Sequence, residues 1–139
     1  MSIKRVAQED ADGCAIACVA MVLGWTYQEA RGYLRIAAED DAGVLHGIHS
    51  GVVQEALAQH GWMCRVHYRH NSVTKSDRAE WPPPPFAPVH IAFVNVPNNH
   101  HAVVVTATGD VLDPNSTART RLTDFSKVDQ VIGFWKVPQ

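Results

Sequence analysis

Little in this chain is in excess, and each shortage removes a class of protein. Three cysteines in 139 residues, Cys14, Cys18 and Cys64, are too few and odd in number for a disulfide scaffold, so at least one thiol is free. Cys14 and Cys18 stand four apart on one face of a presumed helix, a geometry that rarely suits a disulfide. The longest apolar stretch, residues 14–25, falls short of the roughly 20 residues that cross a bilayer. The basic start Met1-Ser2-Ile3-Lys4-Arg5 has no apolar run of signal type behind it, so the chain reads as cytoplasmic. A net charge of −2 leaves no electrostatic footprint for nucleic acid. No internal repeat is visible. What remains, 46% apolar and 19% charged residues, is an ordinary globular composition, expected to form a single domain over residues 1–139.

The apolar pattern predicts helices first and strands later. Residues 14–23 are apolar on nearly every side and predict a buried helix closed by Gly24. Thr26 and Glu29 form a capping box for a second helix through about Arg35, and residues 37–49 read as a loop. Ser50 is a candidate cap for a third helix, with Val53, Ala56, Leu57 and His60 on one face and Gly61 ending it. Residues 64–69 alternate as a strand. Residues 70–88 read as a flexible or proline-rich insertion, with Pro82 to Pro85 held extended. Strands are expected at 89–96, 101–108, 111–112 and 131–137, with turns at Pro97-Asn98-Asn99 and Gly109-Asp110 and a short helix over 122–128. Helices followed by an antiparallel sheet make an α+β fold.

A thiol at the junction of a polar, glycine-bearing loop and an apolar helix lies near the positive end of the helix dipole, which favours the thiolate. Cys14 holds that place, after Gln8-Glu9-Asp10-Ala11-Asp12-Gly13. A cysteine nucleophile also needs a base, a group to orient it and donors for the oxyanion. His101 opens an apolar strand and fits the base. Asp113 returns across the tight Gly109-Asp110 hairpin toward the level of His101 and can fix its tautomer. Gln8, six residues ahead of Cys14, can join the Cys14 N–H in an oxyanion hole.

These residues resemble a known signature. Gln8, Cys14, Ala17, Cys18, Ala20 and Met21, followed by His101-Ala102-Val103-Val104-Val105, the Gly109-Asp110 turn and Asp113-Pro114, look like the bacteriocin-processing, double-glycine leader peptidases of the papain-like cysteine peptidase clan. The resemblance runs from Gln8 to about Asn115. It implies a papain-like fold with the Cys on a central helix and the His and Asp on the sheet. It also implies Cys14 as nucleophile, His101 as base, Asp113 as its orienter and Gln8 as oxyanion donor, with no cofactor. The substrate implied is a leader or precursor peptide. The family usually has Asp directly before the Cys and Gly directly after it, where this chain has Gly13 and Ala15. Ala15 is expected to narrow the cleft. Transporter-fused members continue into membrane helices and a nucleotide-binding domain. This sequence ends at Gln139 with neither, and is expected to act alone or with a separate transporter or partner protein.

Two other functions share the inventory: glutamine deamidation or transglutamination by the same Cys-His-Asp logic, and peptide binding by a silent cleft. Cys18 and Cys64 read as core. His100 is a lesser candidate for the base, since neighbours in a strand point to opposite sides. His46 and His49, with Asp40 or Asp41, lack a third ligand at metal spacing and read as loop residues. Trp25, Trp62, Trp81 and Trp135 read as core or core edge, with Trp81 and the prolines after it an alternative partner site.

Overall fold

The computed structural model describes residues 3–69, 87–96, 99–125 and 127–138. The expected extended run at 82–85, Trp81 and the Pro97-Asn98 part of the expected turn lie outside them. Helix α1, Cys14–Leu23, is buried from Ala15 to Val22, as an all-apolar helix must be. Gly24 closes it in the left-handed region, at φ 71, where a glycine carries no Cβ penalty. Helix α2, Tyr27–Tyr33, starts from the predicted reciprocal capping box between Thr26 and Glu29. It stops two residues earlier than expected, and a separate turn, α3 (Arg35–Ala38), occupies the start of the expected loop. Burial of Leu34 and Ala38, four apart, holds that turn on the core, while Ile36 between them is 93% exposed.

Helix α4 spans Ser50–Ala58. Ser50 is its first helical residue rather than its cap. His49 takes the cap position in an extended conformation and makes no side-chain capping bond. Val53, Ala56 and Leu57 are buried, as the periodicity predicts. Gly61, at φ 84, turns the chain into the sheet.

The sheet is antiparallel and five-stranded, in the order β1 (Trp62–Arg69), β5 (Lys127–Lys136), β2 (Val89–Val96), β3 (Asn99–Thr106), β4 (Val111–Leu112). The last strand thus lies centrally between β1 and β2. It begins four residues ahead of expectation and displaces the helix expected over 122–128. Only a 3₁₀ turn, Leu122–Asp124, forms there. The reason is burial: Val128 and Val131 join a cluster with Ala92, Val94, Val103, Leu122 and Phe125 on one sheet face. The other face, with Ile91, Val104, Ile132 and Phe134, packs on α1 and α4, and α2 packs on α1. Alternating residues serve two apolar faces, so these strands read as continuous apolar runs.

Cys64 corrects the sequence reading, because it is exposed. It sits on the edge strand β1, and its Sγ meets the polar Gln54 Oε1 at 3.5 Å in place of an apolar neighbour. Two core substitutions separate these environments. Phe134→Ala, at a fully buried site, should cost about 3–5 kcal/mol in urea denaturation. Cys64→Ser should stay within about 0.5 kcal/mol.

Candidate active site

Cys14 is the first residue of α1, so its N–H and those just after it have no intrahelical acceptor; the first such bond runs from Ala17 N to Gly13 O at 3.0 Å. No acidic residue lies in the first turn to offset the dipole's positive end. The thiol is partly exposed. Cys18, one turn deeper, is fully buried, as its core reading predicts. Burial, with the nearby Cys14 and Asp113, pushes the Cys18 thiol well up, so it stays a neutral packing group.

His101 is the third residue of β3 rather than its first, because the strand starts at Asn99. The β3–β4 hairpin pairs Val104 with Leu112 and Val105 with Val111. Gly109 at φ 88 makes the turn, closed by Thr106 N to Asp110 O at 2.9 Å. Extending that register sets Asp113 opposite Val103, two residues short of the level of His101 and on its face. The two are diagonal cross-strand neighbours. Their side chains meet, His101 Nε2 to Asp113 Oδ1, at 2.6 Å. They are 7% and 0% exposed.

With Nε2 engaged by Asp113, Nδ1 is the ring nitrogen left for Cys14, which lines the same cleft. Burial opposes a charge on the ring, but the hydrogen bonds to Asp113 and Cys14, with the charges of both, outweigh it and raise His101 from its ordinary 6.5 to about 9. Burial likewise works against the Asp113 carboxylate. The bonds from His101 and from the Asn115 N–H, with the charges of His101 and Arg119, hold it below its usual value. Oδ2 of Asp113 is buried and accepts no hydrogen bond among the described residues; Arg119 lies 3.9 Å away.

The N-terminal segment is laced to this turn. Arg5 Nε donates to Asp113 O at 2.7 Å, and Gln8 N donates to Pro114 O at 3.0 Å. Gln8 therefore reaches the site through its backbone. Its side-chain Nε2 donates to Asp10 O at 2.9 Å and to Ala11 O at 3.0 Å, and its Oε1 is buried without a partner among the described residues. Both amide hydrogens thus brace the loop before Cys14, which sequence reasoning did not anticipate.

Cys14, His101 and Ala15 line a cleft of about 180 Å³ with Gly47, Ile48, Phe93 and Ala102. Beyond Phe93 and His100 it opens into a wider space of about 610 Å³ bordered by His49, Gln54 and Asp129. His100 is 89% exposed, with Nδ1 3.6 Å from Asp129 Oδ2, and stands at the cleft rim rather than in the His101–Asp113 pair. His46 and His49 are exposed, and Asp40 Oδ1 accepts from Ala42 N and Val44 N within its own turn. The cleft walls Gly47, Ile48 and Phe93 carry no sequence signal beyond their apolar or small character.

The fold has counterparts among solved structures. The chain superposes on a double-glycine motif protease from an AMS/PCAT transporter, solved with its leader peptide, with a TM-score of 0.61 and 18% identity over 98% of this chain and 93% of that one. It superposes on the peptidase domain of Streptococcus ComA, a bifunctional ABC transporter of a quorum-sensing pathway, with a TM-score of 0.62 and 18% identity over 99% and 100%. The Streptococcus mutans ComA peptidase domain gives 0.56 and 16% over 94% and 98%. The fold is papain-like, that of the double-glycine peptidase domains. No protein-family model and no curated protein matches the sequence. Among the described residues no helix is long and apolar enough to cross a membrane.

The pair makes a signed pH prediction. A ring raised above its unfolded value stabilises the fold fully below about pH 6.5, and that contribution is lost as pH rises through about 9. The lowered Asp113 contributes above the usual carboxylate range and loses its contribution as pH falls. An NMR titration of the His101 ring should give a midpoint near 9. Asp113→Asn should lower that midpoint by about one pH unit or more and flatten the decline of Tm on the alkaline side. A midpoint that stays put in Asp113→Asn would sink this account.

Proposed function

We propose that this chain is a cysteine peptidase that cleaves a leader or precursor peptide in the cytoplasm. The observation that carries the reading is the buried Asp113–His101 pair, whose His101 shares a cleft with Cys14 at a helix N-terminus. The fold shared with peptidase domains, one of them solved with a leader peptide, supports it.

Cys14 gives up its proton to His101 and attacks the scissile carbonyl carbon through Sγ. The negative charge moves to the carbonyl oxygen, beside the free N–H groups that open α1. Gln8 adds a donor when one amide hydrogen leaves the exposed Ala11 carbonyl for that oxygen. The tetrahedral intermediate collapses, His101 protonates the departing amine, and a thioester remains on Cys14. Water, deprotonated by His101, then releases the acid and restores the thiol. Asp113 holds the ring's tautomer and balances its charge throughout. The narrow cleft around Cys14, walled by Ala15 and Ala102, fits small residues at the scissile bond, and the wider space beyond accepts larger upstream side chains.

The test joins thiol labelling with turnover. Iodoacetamide on native protein at neutral pH should modify Cys14 faster than Cys64, and Cys14→Ala should remove that fast product in intact mass. Precursor peptides with a Gly-Gly or Gly-Ala junction should be cut by wild type and left whole by Cys14→Ala. Gln8→Ala should lower kcat by about 10²-fold. Cys14 labelling no faster than Cys64 overturns the nucleophile. Ammonia release without chain cleavage replaces peptidase with a side-chain amidase, and equal binding by wild type and Cys14→Ala without processing replaces it with a binding module.

A further inference from the structure

We propose that Tyr27 is a positioning residue for the nucleophile: its hydroxyl, docked on Gly13 and held by Asp10, fixes the loop that delivers Cys14 to the head of α1. The inference rests on the reading above only in taking Cys14 as the reacting group.

Tyr27 opens α2 and is 2% exposed. Its ring lies where a side chain at position 13 would stand. A Cβ on Gly13 would come within 2.0 Å of the Tyr27 hydroxyl oxygen and 2.9 Å of Cζ, distances no real contact allows. The glycine is not needed for its backbone, since φ −94 and ψ 10 are open to any residue. It is needed for space, and Tyr27 fills that space.

Asp10 ties the hydroxyl to the loop. Its Oδ2 accepts from Tyr27 at 2.7 Å and from Arg31 Nε at 3.1 Å, and Glu39 backs Arg31 at 2.7 Å. The backbone oxygen of Asp10 accepts from Gly13 N at 3.1 Å and from Gln8 Nε2 at 2.9 Å. One residue therefore joins the Tyr27 hydroxyl, the Gln8 amide and the residue bonded to Cys14. Burial and the bond to Asp10 push the Tyr27 phenol well up, so it remains a donor through the whole working pH range. A shift in this clamp passes through one peptide bond to Cys14, whose approach to His101 sets its reactivity.

The experiment needs no substrate. Iodoacetamide alkylation of Cys14 is followed by intact mass from about pH 5 to about pH 10, on full-length protein in a Cys64→Ser background. Tyr27→Phe keeps the ring and removes the hydroxyl. It should slow alkylation about 10-fold and displace the pH midpoint, with Tm nearly unchanged. Asp10→Asn, which keeps an acceptor, should retain most of the rate, and Asp10→Ala should lose it. Gly13→Ala should be slower still, because its Cβ would meet both the hydroxyl oxygen and Cζ of Tyr27. A Tyr27→Phe profile that superimposes on the parent overturns the proposal, as does an Asp10→Ala profile that superimposes on it. Normal alkylation in a wild type that cuts no peptide overturns the peptidase reading and leaves this one intact; unchanged alkylation in Tyr27→Phe does the reverse.

Discussion

The 2.6 Å contact between His101 and Asp113 is the constraint on which the candidate site depends. It forms between two strand positions whose relation is set by one hairpin, and that hairpin turns on Gly109. Moving the register by one residue would send Asp113 to the opposite face and leave His101 buried without its carboxylate. The N-terminal segment reinforces the same turn, through Arg5 on Asp113 O and Gln8 on Pro114 O. The Gln8 bond is backbone to backbone, so it fastens the loop of the candidate oxyanion donor to the turn after Asp113 independent of side-chain rotamers. Cys14 enters from a third direction, on a helix whose burial is nearly complete.

How much of this was legible in the sequence depended on range. Local chemistry was read well: the capping box at Thr26 and Glu29, the left-handed Gly24 and the Gly109 hairpin all require specific residues within a few positions. The α+β order and the juxtaposition of His101 with Asp113 followed from the same local rules. What failed needed long-range information. Residues 122–128 were expected as a short helix, and the partners that make Val128 a strand residue are in β2. Cys64 looked like core because nothing local tells an edge strand from a central one. Gln8 was read for its amide alone, whereas its backbone bond to Pro114 and its brace on Asp10 and Ala11 depend on the folded loop.

The residues flanking Cys14 show the same limit from the other side. Gly13 and Ala15 are where the chain departs from the signature it resembles, and the sequence supplies no reason. The structure supplies one for Gly13: the Tyr27 hydroxyl already occupies the volume any side chain would need. A glycine before the thiol and a tyrosine fourteen positions later are thus one packing decision. Ala15 is buried and lines the narrow cleft beside the thiol.

The energetics point to what this arrangement is for. Burying an imidazolium and a carboxylate together is weak as a source of stability, because desolvation of both ions consumes most of the attraction between them. Asp113 accentuates this, with Oδ2 buried and lacking a hydrogen bond among the described residues. Apolar residues at 101 and 113 would pack the end of the hairpin at lower cost. The apolar clusters on the two sheet faces, led by Phe134 and Phe125, supply the stability that lets the pair persist. What the pair delivers is a ring raised to about 9 that shares a cleft with a sulfur at a helix N-terminus. A strong base beside a sulfur is what a cysteine nucleophile needs. The part of the fold that is hardest to justify as packing is therefore the part that is easiest to justify as chemistry.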